Sequence, residues 1–262
     1  MPDSHYAPIN NLNLYYEVHG TGHPLILLHG GLGAVAMFEP ILPALAEHYQ
    51  IIAVELQGHA HTADIDRPLD FETMADDIAA LIIHLGLPEA DILGYSIGGG
   101  VALQTAIRHP QLIRKLVLVS APCKRDGWYP EVLVGMSAMN AGAAQMMIGS
   151  PMHQAYAAAA PRPEDFPMLV EKTGQLLRQP YDWSADFAAL PMPTLLIFGD
   201  ADSVRPKHIV EMFQLRGGGQ RDAGWDGSGM SQSRLAILPS TTHYSIFASP
   251  LLASLAISFL DN

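Results

Sequence analysis

Cysteine is almost missing from this chain. Cys123 is the only one in 262 residues, so no disulfide can close within it, and a reducing compartment, the cytoplasm, is expected. Positive charge is scarce too: 14 Lys and Arg stand against 26 Asp and Glu, a formal net charge of −12. Phosphate backbones are held by clustered Lys and Arg, so no nucleic-acid partner is expected. No apolar run approaches the roughly 20 residues that span a bilayer. The opening stretch MPDSHYAPINNLNLYYEVHG has no basic segment followed by an apolar one, so neither a membrane span nor a secretory signal is expected. Charged residues make up only 15% and hydrophobic ones 49%. That is a globular composition, with enough apolar surface for one sizeable core and a small added lobe. None of this fixes the oligomeric state, and a homo-oligomer stays open.

What the chain does have is a series of short, continuous apolar runs: LILLH (25–29), IIAVEL (51–56), ADILGY (90–95), KLVLVS (115–120), TLLIFG (194–199) and RLAIL (234–238). They do not alternate with polar residues, which suits strands buried on both faces of a parallel sheet. Helical periodicity lies between them. Residues 71–85 place Phe71, Met74, Ile78, Leu81 and Ile82 on one stripe, with Asp70 as N-cap and Gly86 as the stop. A second helix is predicted over 97–108, ending before Pro110. A last helix begins at Ser249-Pro250. Strands alternating with helices predict an α/β fold with a doubly wound sheet, and residues 9–19 predict an antiparallel edge hairpin. Two stretches break the alternation. Residues 121–191 carry no convincing strand and read as several short helices. Residues 216–234 are rich in Gly and Ser and read as a surface loop.

The stretch GYSIGGG (94–100) carries the chemistry. It follows a buried strand and opens a helix. In a sharp strand-to-helix turn there is no room for side chains two residues either side of the serine, and Gly94 and Gly98 meet that demand. Ser96 is thereby presented as a nucleophile, and the free N–H of Ile97 at the helix start can face an oxyanion. A serine at its ordinary pKa needs a base, and the base needs an acid to orient it. His243 is the candidate base. Asp202 and Asp200 are the candidate acids. All follow strand-like runs, at the carboxyl ends where open sheets place their sites.

Taken together and in order, LLHGGLG (27–33), LQGHAHT (56–62), GYSIGG (94–99), FGDADSVRP (198–206) and LPSTTH (238–243) resemble the α/β-hydrolase superfamily over nearly the whole chain. The resemblance implies a mostly parallel eight-stranded sheet with a helical cap inserted after the sixth strand. The core would be residues 1–120 and 192–262, the cap 121–191. It implies Ser96 as nucleophile, His243 as base and Asp202, three residues after Gly199, as acid, with Asp200 ordering the turn. It places the oxyanion hole on backbone N–H groups of Ile97 and of Gly31 or Leu32. No cofactor is implied. Trp128, Tyr129, Tyr156, Phe166 and the methionines Met136, Met139, Met146, Met147 and Met152 are candidates for the cap's lining, the methionines equally for filling its core, and Tyr244 follows the histidine. They are apolar or aromatic, so a small, mostly neutral, hydrophobic carboxylic ester is the expected substrate. Carbon–carbon hydrolases, lactonases and cofactor-free haloperoxidase-like enzymes are similar alternatives, as is a slow ligand sensor on the same fold. VELQGHAHT departs from the Asp-x-Arg-Gly-His-Gly often found there, at Glu55, Gln57 and Ala60, which bears on the packing of that loop.

Other residues admit plainer readings. His29 reads as a loop-holding histidine, and His109 before Pro110 as helix-end chemistry. His59, His61 and Asp64 resemble the His-x-His-x-Asp-His of di-zinc hydrolases, but the aspartate stands one residue late and no histidine follows it. No metal site is expected there. Trp225, in the Gly-rich loop, reads as a lid residue or a surface anchor.

Overall fold

The computed structural model describes residues 3–262; the first two residues of the expected core domain lie outside the described residues. The chain opens with a hairpin, β1 (Asp3–Ile9) and β2 (Leu12–His19), paired antiparallel. Its turn is Asn10-Asn11, both at positive φ, 47° and 68°. Two such residues make the tight hairpin turn that matches strand twist. The strand 3–9 was not foreseen, because only Ala7 and Ile9 of it are buried.

The remaining strands are β3 (His23–Leu28), β4 (Tyr49–Val54), β5 (Ala90–Tyr95), β6 (Ile113–Val119), β7 (Thr194–Ala201) and β8 (Arg234–Thr242). They complete one eight-stranded sheet in the order β1-β2-β4-β3-β5-β6-β7-β8. From β4 to β8 every pairing is parallel. Successive side chains point to opposite faces, so each apolar run feeds two cores. Ile26 and Leu28 face one cluster, with Ile78, Leu81 and Val101. Leu25 and Leu27 face the other, with Phe38, Leu252 and Ala256. The first layer holds α2 (Phe71–His84) and α3 (Ile97–Arg108); the second holds α1 (Leu42–Ala46) and α10 (Leu251–Asp261).

Local signals set the helix ends. Asp70 accepts the Thr73 N–H at 3.0 Å. At the other end Leu87 N–H reaches Ile82 O at 3.1 Å and Gly86 N–H reaches Ile83 O at 2.9 Å, with Gly86 at φ +67°. This paired closure needs a left-handed residue, which glycine adopts without strain. The last helix starts one residue later than predicted: Pro250 is its N-cap, and no side chain caps it.

Between β6 and β7 run α4 (Pro130–Ser137), α5 (Ala141–Met147), α6 (Pro151–Ala159), α7 (Phe166–Arg178) and α8 (Ser184–Ala189). Helices α4, α5 and α6 pack on α7, whose inward stripe is Phe166, Leu169, Val170 and Thr173. Helix α8 packs instead on α3 and on α9 (Pro206–Leu215). The stretch 121–191 therefore divides: its first four helices pack together, and the fifth joins a core layer. Residues 216–233 form turns and loop before β8.

Candidate active site

The carboxyl ends of β5, β7 and β8 bring three distant side chains together. Ser96 follows β5 with φ +53° and ψ −117°, a backbone conformation strained for any residue but glycine. The turn is tight because α3 lies directly on the sheet. A Cβ at Gly94 would stand 2.2 Å from Gly98 O, and one at Gly98 would stand 2.4 Å from His29 O and Leu28 O. Nothing larger fits.

His243 follows β8 and is buried. Its Nε2 lies 3.1 Å from Ser96 Oγ, and its Nδ1 lies 3.2 Å from Asp202 Oδ1. Asp202 follows β7 and is also buried. Burial alone would raise its pKa, but the His243 hydrogen bond and charge, the Ser120 hydroxyl and the Gly199 N–H outweigh burial and hold it below the usual carboxylate range. An ionised carboxylate only accepts, so His243 Nδ1 donates to it. Nε2 is then the bare nitrogen that accepts the Ser96 hydroxyl proton. Asp200 takes a different part: its carboxylate accepts Ser240 N–H at 2.9 Å and Thr241 N–H at 3.0 Å, ordering the chain that enters the histidine turn.

The imidazole is held on several sides. Tyr95 OH donates to His243 O at 2.8 Å, and its ring lies 5.1 Å from the imidazole. Trp128 meets the imidazole edge-on at 5.5 Å and donates its Nε1 proton to Tyr181 OH at 3.2 Å. Facing Ser96 is the turn Gly30–Gly33, closed by Gly33 N–H on Gly30 O at 3.1 Å. Leu32 sits in it at φ +56°. Gly31 abuts Ile97, whose Cδ1 would lie 2.6 Å from an added Cβ. Gly31, Leu32 and Ile97 thus border one cavity beside the serine. His29 anchors the turn from below: Nδ1 donates to Gly30 O at 2.8 Å and Nε2 accepts Leu56 N–H at 3.1 Å. Burial, with the neighbouring His59, drops its pKa to about 3, so it is a neutral strut.

The cavity above Ser96 measures about 650 Å³, within the range of small-molecule sites. Its walls are mostly apolar, among them Met37, Val132, Met136, Met139, Met152 and Leu177. Besides His243 its ionisable lining groups among the described residues are Glu131, Tyr95 and Tyr244, and no Lys or Arg is among them.

Comparison with known proteins agrees with this architecture. Residues 23–145 match the family described as alpha/beta hydrolase fold. A pimeloyl-[acyl-carrier protein] methyl ester esterase of Aeromonas hydrophila is 31% identical over 231 residues, covering 78% of this chain and 87% of that protein. The chain belongs to the α/β-hydrolase family. A soluble epoxide hydrolase of Corynebacterium is 35% identical over 118 residues, but the match covers 44% of this chain and 40% of that relative, so the chain spans less than half its length. A crystal structure of a Bacillus subtilis carboxylesterase superposes with a TM-score of 0.75 at 19% identity, covering 99% of this chain and 92% of that one. At that identity the likeness is one of fold.

Trp128, Met136, Met139 and Tyr244 border the cavity. Met147 does not. It is half-buried and packs against the core, while Met152 on α6 and Met37 before α1 face the cavity. Helices as short as α5 and α6 give too few turns for a stripe to reveal its inner face. Tyr156 and Phe166 pack on each other at 5.4 Å, outside the cavity. Arg125, Arg162 and Arg178 are not among the described lining residues: Arg125 binds Leu177 O and Arg178 binds Met139 O from behind the wall, and Arg162 binds Asp165. The histidine cluster is dispersed: His61 Nδ1 meets Glu55 at 2.9 Å, Asp64 pairs with Lys172 at 2.6 Å, and His59 Nδ1 binds Gln57 O. Glu55 also accepts His61 N–H and Val35 N–H, so the departures at Glu55 and Gln57 serve loop packing. His109 Nε2 binds Asp76 at 2.7 Å at the end of α3. Trp225 is fully exposed, away from the cavity.

Two residues escaped the sequence reading. Tyr95 lies inside the quoted motif, yet nothing in its spacing tells which way its hydroxyl turns. Ser120 closes the run KLVLVS at a strand's carboxyl end, the one signal that marked it.

Proposed function

We propose that this chain is a serine carboxylesterase that cleaves a small, mostly neutral, hydrophobic ester through an acyl-enzyme on Ser96. The observation that carries the reading is the relay of contacts from Ser96 Oγ to His243 Nε2, 3.1 Å, and from His243 Nδ1 to Asp202 Oδ1, 3.2 Å. Both lie within the reach that nucleophile, base and orienting acid require. His243 takes the hydroxyl proton as Ser96 Oγ bonds to the acyl carbon, and the carbonyl π electrons move onto oxygen. The resulting oxyanion is met by the N–H groups of Ile97 and of Gly31 or Leu32. His243 then gives its proton to the departing alkoxide, leaving the acyl-enzyme and a free alcohol. Water repeats the sequence, with His243 again as base, and releases the acid. Asp202 fixes the tautomer throughout and balances the imidazolium charge.

The cavity supports the substrate class. Its walls offer methionine and aliphatic surface, and no cation to pair with an anionic substrate. Methionine adapts to irregular apolar groups. Helices α4–α7 act as a lid that keeps bulk water from the acyl-enzyme. The methyl ester esterase among the similar proteins points the same way. Epoxide opening does not fit a serine: attack by its oxygen would leave an ether, which His243 and water cannot cleave, whereas an ester intermediate is hydrolysed readily.

The test is hydrolysis of a short-chain p-nitrophenyl ester. The native chain turns it over many times per minute, EDTA leaves the rate unchanged, and Ser96→Ala lowers kcat by at least about 10,000-fold with an unchanged melting temperature. Retained activity in Ser96→Ala overturns the reading. Turnover well below once per minute alongside tight ligand binding would mark a sensor instead.

A further inference from the structure

We propose that Ser120 is a positioning residue of the same site, holding the Asp202 carboxylate in the plane from which it serves His243. This rests on the assignment of Ser96, His243 and Asp202 above. Asp202 receives four hydrogen bonds. Oδ1 accepts His243 Nδ1–H and the Val204 N–H at 3.2 Å. Oδ2 accepts the Gly199 N–H at 3.1 Å and the Ser120 Oγ–H at 2.5 Å. Three of the four bonds are therefore a cradle. Among the described residues Ser120 supplies the only side-chain donor in it, and it comes from the end of a different strand, just after β6.

The backbone at Ser120 is informative. It stands at φ +52°, almost the same as Ser96 at φ +53°. Two neighbouring strands each end on a serine at positive φ, tied to the next strand: Ser96 N–H donates to Val119 O at 3.0 Å and Ser120 N–H donates to Ile197 O at 2.9 Å. A non-glycine residue at positive φ is strained, and glycine would avoid that strain. At Ser96 the hydroxyl of that strained turn faces the cavity; at Ser120, which is wholly buried and absent from the cavity wall, it is spent entirely on Asp202. Its loss leaves Oδ2 with one donor in a space closed to water. The carboxylate is then free to tilt, and the imidazole loses its fixed direction. Because Ser120 never meets the substrate, the loss falls on kcat and spares KM.

The experiment is a double-mutant cycle on the ester assay, with Ser120→Ala and Asp202→Asn made singly and together. Ser120→Ala lowers kcat about 10- to 100-fold, the size of one hydrogen bond to a buried charge, with KM unchanged. In the Asp202→Asn background the same change costs nothing further, because there is no charge left to hold. Ser120→Gly repeats the kcat loss with a melting temperature equal to the native one or higher, since glycine relaxes the turn; it carries the test if the alanine variant fails to fold. Native kcat in either variant, or an equal loss with and without Asp202, overturns the proposal. Activity retained in Ser96→Ala would strike the nucleophile assignment itself, whereas a dead Ser96→Ala beside an unimpaired Ser120→Gly strikes Ser120 alone.

Discussion

Ser96 and Asp202 show how far one residue's environment can be turned to use. Ser96 sits in a conformation that disfavours every residue except glycine, and its hydroxyl gains a path to His243. Asp202 is buried, which by itself disfavours its charge, yet four donors keep it ionised. Asp202→Asn keeps the shape but can hold His243 in the wrong tautomer, with Nδ1 accepting and Nε2 protonated. Its expected kcat loss is about 10,000-fold with little change in KM; steady-state kinetics at saturating ester would reveal it, and a loss under tenfold would contradict the tautomer argument. The sequence marked the three candidate residues by their places after strand-like runs, and the structure sets them at three strand ends. Ser120 and Tyr95 were not marked: their contacts join β6 to β7 and β5 to β8 across 82 and 148 residues of chain.

Helix α3 and its glycines set the site's dimensions at the scale of elements. Gly98→Ala would thrust a methyl group to 2.4 Å from two backbone oxygens, Leu28 O at the end of β3 and His29 O just beyond it, which cannot yield as a side chain can. A loss of about 3 kcal/mol is expected, with lost activity, because α3 must lift from the sheet and carries Ile97 with it. Gly135 on α4 has nothing within 4 Å of an added Cβ. Gly135→Ala therefore stabilises by up to about 1 kcal/mol through helix propensity. Urea unfolding of the two variants checks both signs; equal effects would mean that α3 has room to move. The elements that sequence foretold best are those whose every residue is buried. β5 has all six residues buried, and its run of apolar letters matches its bounds. Strand β1 and the short helices α4 to α6 expose most of their residues. Their faces are set by tertiary packing, which is why the hairpin was read short and Met147 could not be told apart from the methionines that face the cavity.

Two wholly buried histidines tie the whole molecule's stability to pH. Burial drops His29 to about 3 and His59 to about 4 from an ordinary value of 6.5. Between pH 6.5 and about 4 the unfolded chain binds these protons and the folded chain does not, so stability rises with pH across that window, by about 1.4 kcal/mol per pH unit for each group fully within it. The margin of the native chain over His59→Gln should accordingly be widest above pH 6.5 and narrow as pH falls towards 4. A margin independent of pH would contradict it. Among the described residues no helix is long and apolar enough to cross a membrane, and no group of three His, Cys, Asp or Glu side chains is arranged to hold a metal. The proposed chemistry rests on one hydroxyl, that of Ser96, in contact with residues from other strand ends, and its most direct test is covalent. Intact-mass analysis after treatment with a serine-directed fluorophosphonate should show a single adduct, mapped by peptide sequencing to Ser96 and missing from the Ser96→Ala and His243→Ala variants. An unlabelled native chain that still hydrolyses esters, or an adduct on another residue, would contradict it.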